Sequence, residues 1–263
     1  MRLLNQIPAK LLHERFGAAA SSIVFSGTLM PFAFFKDTLG LGTECPDQKI
    51  NSPFSAEQLD ITAISDISTR YNDREYSIDA IVAIVAKQLK AHPGNYLMFF
   101  SSFAYMELVA DKLRHVISDH RICQQTHKMP ELQRSEFLAA FSENINTLGL
   151  VVLGGAFGEG VDLPGKQLIG AFVLTLGLPQ FNQRNESLKL KMQQSFGQGF
   201  EYAYLFPGLQ KVTQAAGRVI RDLNDSGYLI LIDDRFSRAQ IQQWLPDWWR
   251  INSMTSHEFL NRD

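Results

Sequence analysis

Short apolar runs alternate along this chain with stretches of helical periodicity, and this alternation constrains the fold more than any other feature. The runs are almost continuously apolar, as in strands that are covered on both faces. The predicted strands are 22–26 (SIVFS), 96–100 (YLMFF), 148–153 (LGLVVL), 169–176 (IGAFVLTL) and 228–232 (YLILI). Helices are predicted over 78–89, 105–117 and 130–141. The pattern therefore predicts an α/β protein, with a parallel β-sheet and helices on both of its faces.

The composition indicates a globular protein of a reducing compartment. A chain of 263 residues can bury a large core without cross-links. Cys45 and Cys123, the two cysteines, are too few for a disulfide framework or for a four-cysteine zinc or iron–sulfur site within this chain. A formal net charge of −2 argues against strong nucleic-acid binding through overall charge. Neither a signal peptide nor a membrane span is predicted, so we expect a cytoplasmic protein.

Two irregular stretches divide the chain. Residues 40–55 combine Gly, Pro, Asn and Ser with little periodicity, which predicts a linker. A second irregular stretch, 179–185, follows the run at 169–176. The first thirty or so residues are therefore expected to be structurally distinct from the rest. Ligands of parallel α/β folds bind at the carboxyl ends of strands, so we expect functional residues just after the apolar runs.

The segment GGAFGEGVDLPGKQ (154–167) nearly matches the phosphate-binding loop GxxxxGK[ST]. Asp233 and Asp234, which follow another apolar run, imitate a Mg²⁺-binding strand end. We reject a nucleotide-binding loop here because Gln167 replaces the metal-binding hydroxyl and Pro164 removes a backbone N–H. A strand-like run also follows the segment, where the motif requires a helix.

Two acidic residues, Glu159 and Asp162, lie among four glycines of this segment. Glycine allows backbone to approach a ligand closely. The segment is therefore either a functional loop or a tight turn with solvated acids, and the residues alone leave both open.

The segment QAAGRVIR (214–221) carries an amide and two cations at helical spacing. Gln214 and Arg218 are four residues apart and Arg218 and Arg221 three, so a helix would place all three on one face. The planar fork of arginine donors suits triphosphate oxygens. A solvated basic helix face explains the same pattern, and both interpretations remain open at this point.

Basic charge is concentrated around this segment, since residues 181–221 contain six cations and two acids. Aromatic residues interleave with the cations: Phe181, Phe196, Phe200, Tyr202 and Tyr204. Such a combination can bind single-stranded nucleic acid through phosphate contacts and base stacking, although most of these rings are expected in the core.

Six segments, in this order, resemble the second motor domain of the XPD/DinG-type superfamily 2 DNA helicases. Ser-Gly-Thr-Leu (26–29) is similar to helicase motif III, Phe-Phe-Ser-Ser-Phe (99–103) to motif IV and Glu-Gly-Val-Asp (159–162) to motif V. The segment at 214–221 is similar to motif VI, and Asp-Ser-Gly (225–227) and Asp-Asp-Arg-Phe (233–236) follow it. The resemblance runs from about residue 21 to about residue 248 and implies a RecA-like parallel sheet.

The resemblance also implies ATP-driven unwinding, with 5′-to-3′ movement along single-stranded DNA. Arg218 and Arg221 would be arginine fingers for ATP that is held mainly by the first motor domain, and Gln214 would sense the nucleotide. Ser101 and Ser102 would donate hydrogen bonds to a DNA phosphate, a contact that is blind to sequence.

The remaining implied roles concern coupling between the two ligands. Gly160 and Asp162 would couple the ATP cleft to DNA, and Glu159 would support their loop. Thr28 would belong to the hinge between hydrolysis and domain movement. Residues 1–45 would be the tail of the first motor domain and a linker, and 46–263 the second motor domain.

Several parts of such a motor are missing from this sequence. It has no acceptable Walker A loop, no Asp-Glu-Ala-His box and no cysteine quartet for the iron–sulfur cluster typical of the family. ATP and Mg²⁺ would therefore be shared with the first motor domain of the same full-length protein, and any cluster would lie in the missing half. We expect this chain alone not to hydrolyse ATP, and a bacterial protein of this kind to associate with the nucleoid.

The alternative is a nucleic-acid-binding or protein-interaction module that kept the fold without motor activity. Gln214, Arg218 and Arg221 favour the motor, because a pure binding module would not require them.

Two further patterns are assigned no ligand. His120, Cys123 and His127 imitate metal-ligand spacing, but zinc sites need four converging ligands, so we predict no metal site and place Cys123 in a short strand facing the core. The cluster of Trp244, Trp248 and Trp249, near the C-terminus of the chain, is predicted to pack against the sheet and cap it.

Overall fold

A computed structural model describes residues 5–142, 146–155, 157 and 163–262. Its strands are β1 (Leu59–Ile64), β2 (Tyr96–Phe100), β3 (Arg121–Gln124), β4 (Thr147–Val152), β5 (Gly170–Val173), β6 (Gly227–Ile232) and β7 (Ile251–Met254). They form one sheet in the order β3-β4-β2-β5-β6-β1-β7, and every neighbouring pair is parallel. The predicted α/β class with a parallel sheet and helices on both faces is confirmed.

The helices within the described residues follow the same chain order. They are α1 (Ala9–Gly17), α2 (Phe32–Leu39), α3 (Arg74–Ala91), α4 (Phe103–Val116), α5 (Glu131–Ala139), α6 (Gln183–Phe196), α7 (Phe206–Ala216), α8 (Ala239–Gln242) and α9 (Ser256–Asn261). The three helices predicted from the sequence correspond to α3, α4 and α5. A π-helical turn, Glu201–Leu205, leads directly into α7.

The chain divides into two compact units. The sheet unit comprises Ser52–Gly177 and Lys211–Asp263, and the small unit comprises Met1–Asn51 and Leu178–Gln210. The sequence did not indicate that 178–210 would group with the N-terminal residues. The assignment of 1–45 to a first motor domain stays a prediction.

The core of the sheet unit forms where α3 and α4 pack on the strands. The side chains of Ile81, Ile84 and Val85 on α3, and of Val109 and Leu113 on α4, are fully buried. All five residues of β2 are buried too, which explains its continuous apolar run. This packing fixes the strand ends from which the loops of the candidate site emerge.

The apolar runs predicted four of the seven strands and missed three, of which β3 was expected only from the short strand placed at Cys123. Residues 96–100 form β2, and the runs at 148–153, 169–176 and 228–232 contain β4, β5 and β6 to within a few terminal residues. No apolar run marks β1, which carries polar Asp60 and Thr62, or β7, an edge strand with two exposed polar residues.

The predicted strand at 22–26 was wrong. These residues have no regular structure, and Ile23 and Phe25 are 87% and 86% exposed. A strand requires a neighbour for its backbone hydrogen bonds, and the described part of the chain places none beside this segment.

Among the described residues, no helix combines the length and hydropathy that crossing a bilayer would require.

Candidate functional site

Two neighbouring strands of the sheet end side by side and carry short polar loops. The backbone N–H of Leu153, just after β4, donates to the carbonyl of Phe100 at the end of β2, with N and O 2.8 Å apart. Ser101 and Ser102 follow β2, and Gly154 follows the end of β4. The structure therefore brings the two predicted serines close to Gly154, the first residue of the glycine-rich segment, at the carboxyl edge where such folds bind ligands.

Both serine side chains are held by hydrogen bonds in which they accept. The Ser102 hydroxyl caps α4 and accepts from the backbone N–H of Tyr105 at 3.2 Å. The Ser101 hydroxyl accepts from Nη2 of Arg74 at 2.8 Å. A hydroxyl has one donor and two acceptor positions, so these contacts orient the oxygens and leave each O–H able to donate. That is the role predicted for them toward a phosphate.

Arg74, at the start of α3, is a site residue that sequence reasoning missed. Its Nε donates to the Thr69 carbonyl at 3.2 Å, and its guanidinium lies 4.7 Å from the ring centroid of Tyr105 and 5.6 Å from that of Tyr71. Burial lowers the pKa of Arg74, and the two tyrosines oppose this shift. Arginine nevertheless stays charged at neutral pH. The strand end therefore carries a positioned cation beside Ser101.

Lys211, on α7, lies at the neighbouring strand end. A Cβ added to Gly154 would lie 3.0 Å from Cδ of Lys211, and Gly154 has a φ of +75°, which favours glycine. The lysine stem thus passes close to the backbone just after β4. From the sequence, Lys211 is recognisable only as one cation of a basic stretch. Its place beside Gly154 depends on how α7 packs, which the sequence does not show.

The Asp233–Asp234 pair does not offer metal ligands. Asp233 is fully buried and accepts from the backbone N–H and hydroxyl of Thr69 and from the backbone N–H, Nε and Nη2 of Arg235. Asp234 binds Arg70 at 2.6 Å and Arg238 at 2.5 Å. Burial alone would raise the pKa of Asp234, but the hydrogen bonds and charges of both arginines lower it overall.

The helix predicted over 214–221 ends early, so the predicted common helix face was wrong. Helix α7 stops at Ala216, and Arg218 and Val219 are in a turn closed by N–H groups that donate three residues back. The reason is that Gly217 weakens the helix while Val219 and Ile220 become buried, at 2% and 3% exposure. Gln214 lies in the last turn of α7, Arg218 is half-buried and Arg221 is exposed.

The backbone that follows Arg218 is fixed by its neighbours. The N–H groups of Arg221 and Asp222 donate to Oδ2 of Asp225 at 2.7 and 2.8 Å. Nε2 of Gln58 donates to the carbonyls of Asp222 and Asp225, among others, at 3.1 and 2.9 Å. Asp225 belongs to the Asp-Ser-Gly segment, and its carboxylate here positions the backbone of Arg221.

The structure places the serines and Arg221 at opposite ends of the strands. Arg221 precedes β6 and lies near the start of β1, to which Gln58 leads. Ser101 and Ser102 follow the carboxyl end of β2. The sheet unit therefore has two separate polar regions, one with hydroxyls and cations and one with Arg221.

The remaining predicted residues lie elsewhere or outside the described part. Thr28 is in the small unit, where its carbonyl accepts from Gln210 at 3.4 Å and its backbone N–H donates to the Ser26 hydroxyl at 3.2 Å. Glu159, Gly160 and Asp162 lie outside the described residues.

The structure also describes parts of the two segments that resemble a nucleotide-binding loop and a metal site. Residues Gly165–Gln167 form a 3₁₀ turn that leads into β5, so the segment lacks the following helix that a phosphate-binding loop needs. The His127 ring packs on Phe103, with centroids 3.7 Å apart. No group of three or more His, Cys, Asp or Glu side chains among the described residues could hold a metal ion.

Two other sequence interpretations concern packing. Cys123 lies in β3, as predicted, and is half-buried there, where burial raises the pKa of its thiol. Trp248 packs against Phe54 and Trp249, with ring centroids 5.9 and 6.3 Å away.

An all-parallel sheet with polar loops at its strand ends defines a RecA-like α/β domain, and comparison with solved structures agrees. A structure of an XPD helicase superposes with a TM-score of 0.71 at 19% identity, covering 95% of this chain and 46% of that one. Residues 85–252 match the model of the helicase C-terminal domain family, and the chain belongs to that family.

Curated relatives point to the same group. The XPD helicase subunit of transcription and DNA repair factor IIH from Dictyostelium discoideum is 25% identical over 269 residues, covering 94% of this chain and 34% of the relative. The ATP-dependent DNA helicase CHL1 of Eremothecium gossypii is 25% identical over 276 residues, covering 92% of this chain and 33% of the relative. The chain thus spans about a third of the length of these relatives.

Proposed function

We propose that this chain is the C-terminal motor half of an ATP-dependent 5′-to-3′ DNA helicase. In this proposal it grips single-stranded DNA and supplies arginine fingers to ATP and Mg²⁺ that are held by a first motor domain. The relatives are named as ATP-dependent or DNA-repair helicases, and membership of the helicase C-terminal family supports the same role for this chain.

The observation that carries the DNA contact is the pair of strand ends at β2 and β4. Ser101 and Ser102 have oriented hydroxyls that can still donate, and Arg74 and Lys211 bring positive charge to the same edge. Hydroxyl donors and cations together suit the oxygens of a phosphodiester. Such contacts read no base, as a motor that moves along any sequence requires.

The proposed nucleotide contact rests on the 214–221 segment, of which Arg221 lies at the other end of the strands. Arg218 and Arg221 would reach phosphate oxygens of ATP and stabilise the charge that develops during transfer, with Gln214 close by. The backbone at Arg221 is already held by Asp225, which favours preorganisation. Asp233 and Asp234 are engaged by arginines, which fits a role in which the other motor domain holds Mg²⁺.

The exposed segment at 22–26 supports a missing first motor domain. Ile23 and Phe25 belong to a strand-like run yet are almost fully exposed, so a further sheet that pairs with this run would bury them. We therefore propose that 1–45 belong to that domain, with Thr28 at the hinge. Glu159, Gly160 and Asp162 would couple ATP to DNA, and any iron–sulfur cluster would be bound outside this chain, whose two cysteines are free.

Hydrolysis measurements test the motor assignment. The purified 263-residue chain should not hydrolyse ATP with or without single-stranded DNA. Joined to the first motor domain of its full-length protein, it should hydrolyse ATP, and Arg218→Ala or Arg221→Ala should lower kcat by about 10³-fold or more. Hydrolysis by the isolated chain that Arg218→Ala abolishes would refute the division of labour. Full activity of both variants in the longer protein would favour a binding module instead.

Binding measurements test the DNA contact. Ser101→Ala and Ser102→Ala should each weaken binding of a fluorescent single-stranded oligonucleotide by about 2- to 10-fold, because each removes one hydrogen bond to phosphate. Lys211→Ala should reduce the salt dependence of log Kd by about one unit of slope. Ser118→Ala, at the opposite end of the sheet unit, is the control. Unchanged affinity of both strand-end serine variants would contradict the proposed contact.

A further inference from the structure

The small unit carries stacked aromatic rings, two of which are exposed. Phe181, just before α6, lies nearly parallel to Tyr204, with centroids 4.7 Å apart and planes at 18°, and is 69% exposed. Phe200 stacks on the same tyrosine at 5.7 Å and 24°, and is 41% exposed. Tyr204 itself is fully buried. These three rings, the aromatic stack, combine a fixed inner ring with outer rings that solvent reaches.

Hydrogen bonds hold both sides of the aromatic stack in place. The Asn182 side chain caps α6 by accepting from the backbone N–H of Asn185 at 2.9 Å, and Nδ2 of Asn185 donates to the Gln180 carbonyl at 2.7 Å. These contacts fix the loop that carries Phe181. The hydroxyl of Tyr204 donates to Oε1 of Glu186 at 2.8 Å, so the inner ring is also anchored. An exposed ring on a fixed loop loses little conformational entropy when it binds a flat ligand.

The charge around the aromatic stack suits an anionic polymer. Helix α6 carries three cations, Arg184, Lys189 and Lys191, and one acid, Glu186. Lys189 pairs with Glu186 at 2.7 Å, so Arg184 and Lys191 supply the excess positive charge of the helix. Arg184 lies three residues after Phe181, in the first turn of the helix, and is exposed. A base stacked on Phe181 would therefore lie close to the positive charge of Arg184, which suits its phosphates.

We propose that Phe181, backed by Tyr204, is a base-stacking platform for single-stranded DNA. This inference rests on the proposed function for its ligand, but adds a binding surface in the small unit that the serines and arginines of the sheet unit do not provide. The polar and basic residues that flank Phe181, Asn182 to Arg184, favour a nucleic acid over an apolar protein surface.

Oligonucleotides with and without bases test the platform. The full chain is titrated with fluorescent dT20 and with an abasic strand of the same length, and anisotropy gives both Kd values. The unaltered chain should bind dT20 at least about 5-fold more tightly than the abasic strand. Phe181→Ala should lose most of this preference while its affinity for the abasic strand stays unchanged. Phe181→Trp should keep the preference, and Phe181→Leu, which is apolar but not aromatic, should not.

The outcomes separate this inference from the proposed function. If dT20 and the abasic strand bind equally well, DNA is still gripped through phosphates and only the platform is wrong. If neither strand binds, the proposed DNA contact fails and the platform with it. If Phe181→Ala binds dT20 like the unaltered chain, the platform is refuted and Phe181 is left as a contact for another protein surface. Quenching of the emission of Phe181→Trp by dT20 beyond that seen for the unaltered chain, whose three tryptophans also emit, and not by the abasic strand, would support stacking directly.

Discussion

Replacing the buried carboxylate of Asp233 by an amide should strongly destabilise the sheet unit. Oδ1 of Asp233 accepts from the backbone N–H and Nε of Arg235 at 3.1 and 2.6 Å. Oδ2 accepts from Nη2 of Arg235 at 2.8 Å and from the N–H and hydroxyl of Thr69. Whichever way the amide of Asp233→Asn is oriented, its NH₂ group faces at least two donors, so at least two hydrogen bonds are lost.

The magnitude follows from burial and charge. Hydrogen bonds to charged groups contribute about 1.5–3 kcal/mol each, and removing one partner of a buried ion pair costs about 3–5 kcal/mol. Asp233 is fully buried and the side chain of Arg235 is 18% exposed, so little water can replace the lost contacts. We expect Asp233→Asn to lower the free energy of unfolding by about 3–5 kcal/mol.

Urea unfolding provides the assay. The three tryptophans, Trp244, Trp248 and Trp249, all lie in the sheet unit, so their emission reports on the unit that contains Asp233. Asp234→Asn is the matched control, because Asp234 pairs with Arg70 and Arg238, whose side chains are 40% and 54% exposed. That control should cost no more than about 1 kcal/mol. A loss below about 1 kcal/mol for Asp233→Asn would refute the reasoning from the buried network.

Two further predictions concern pH and a close backbone approach. Because the pKa of Asp234 is lowered in the fold, its stabilising effect should be present above its ordinary value of 3.8 and disappear as the pH falls through the folded pKa. Urea unfolding of the unaltered chain and of Asp234→Asn should then converge at low pH, and a difference that does not depend on pH would contradict this. Gly227→Ala should destabilise the sheet unit by about 1–3 kcal/mol, because its Cβ would lie 2.4 Å from Cγ1 of Val219 and 2.6 Å from the Ile169 carbonyl. Thermal unfolding measures this effect, with Gly17→Ala as the control, because a Cβ at Gly17 would have nothing within 4 Å. Equal melting temperatures of the Gly227→Ala and Gly17→Ala variants would contradict the prediction.

The buried strands could be read from the sequence because burial on two faces leaves a continuous apolar run. This holds for β2, whose five residues are all buried, and for β4 and β6. A continuous apolar run does not mark β7, because this edge strand has exposed polar residues, Asn252 and Ser253. The apolar run at 22–26 predicts a strand that the structure does not contain, because this run has no described neighbour with which to pair.

Local sequence determined the kinds of chemistry at the candidate site, whereas tertiary packing decided where each group lies. The serines after β2 and the amide and arginines of 214–221 were visible as residue types at strand ends or at helical spacing. The early end of α7 was not, because the burial of Val219 and Ile220 outweighs the local preference for helix.

Contacts between residues far apart in the chain were equally hidden from the sequence. Arg74 reaches Ser101 across 27 positions, and Thr69 reaches Asp233 across 164. The spacing of residues along the chain does not predict such contacts, because they form only when parallel strands bring their carboxyl ends together. The sequence by itself therefore determined a parallel α/β domain of helicase type. The tertiary structure decided which cations stand beside its serines, which carboxylates are already engaged and which aromatic rings remain open to a ligand.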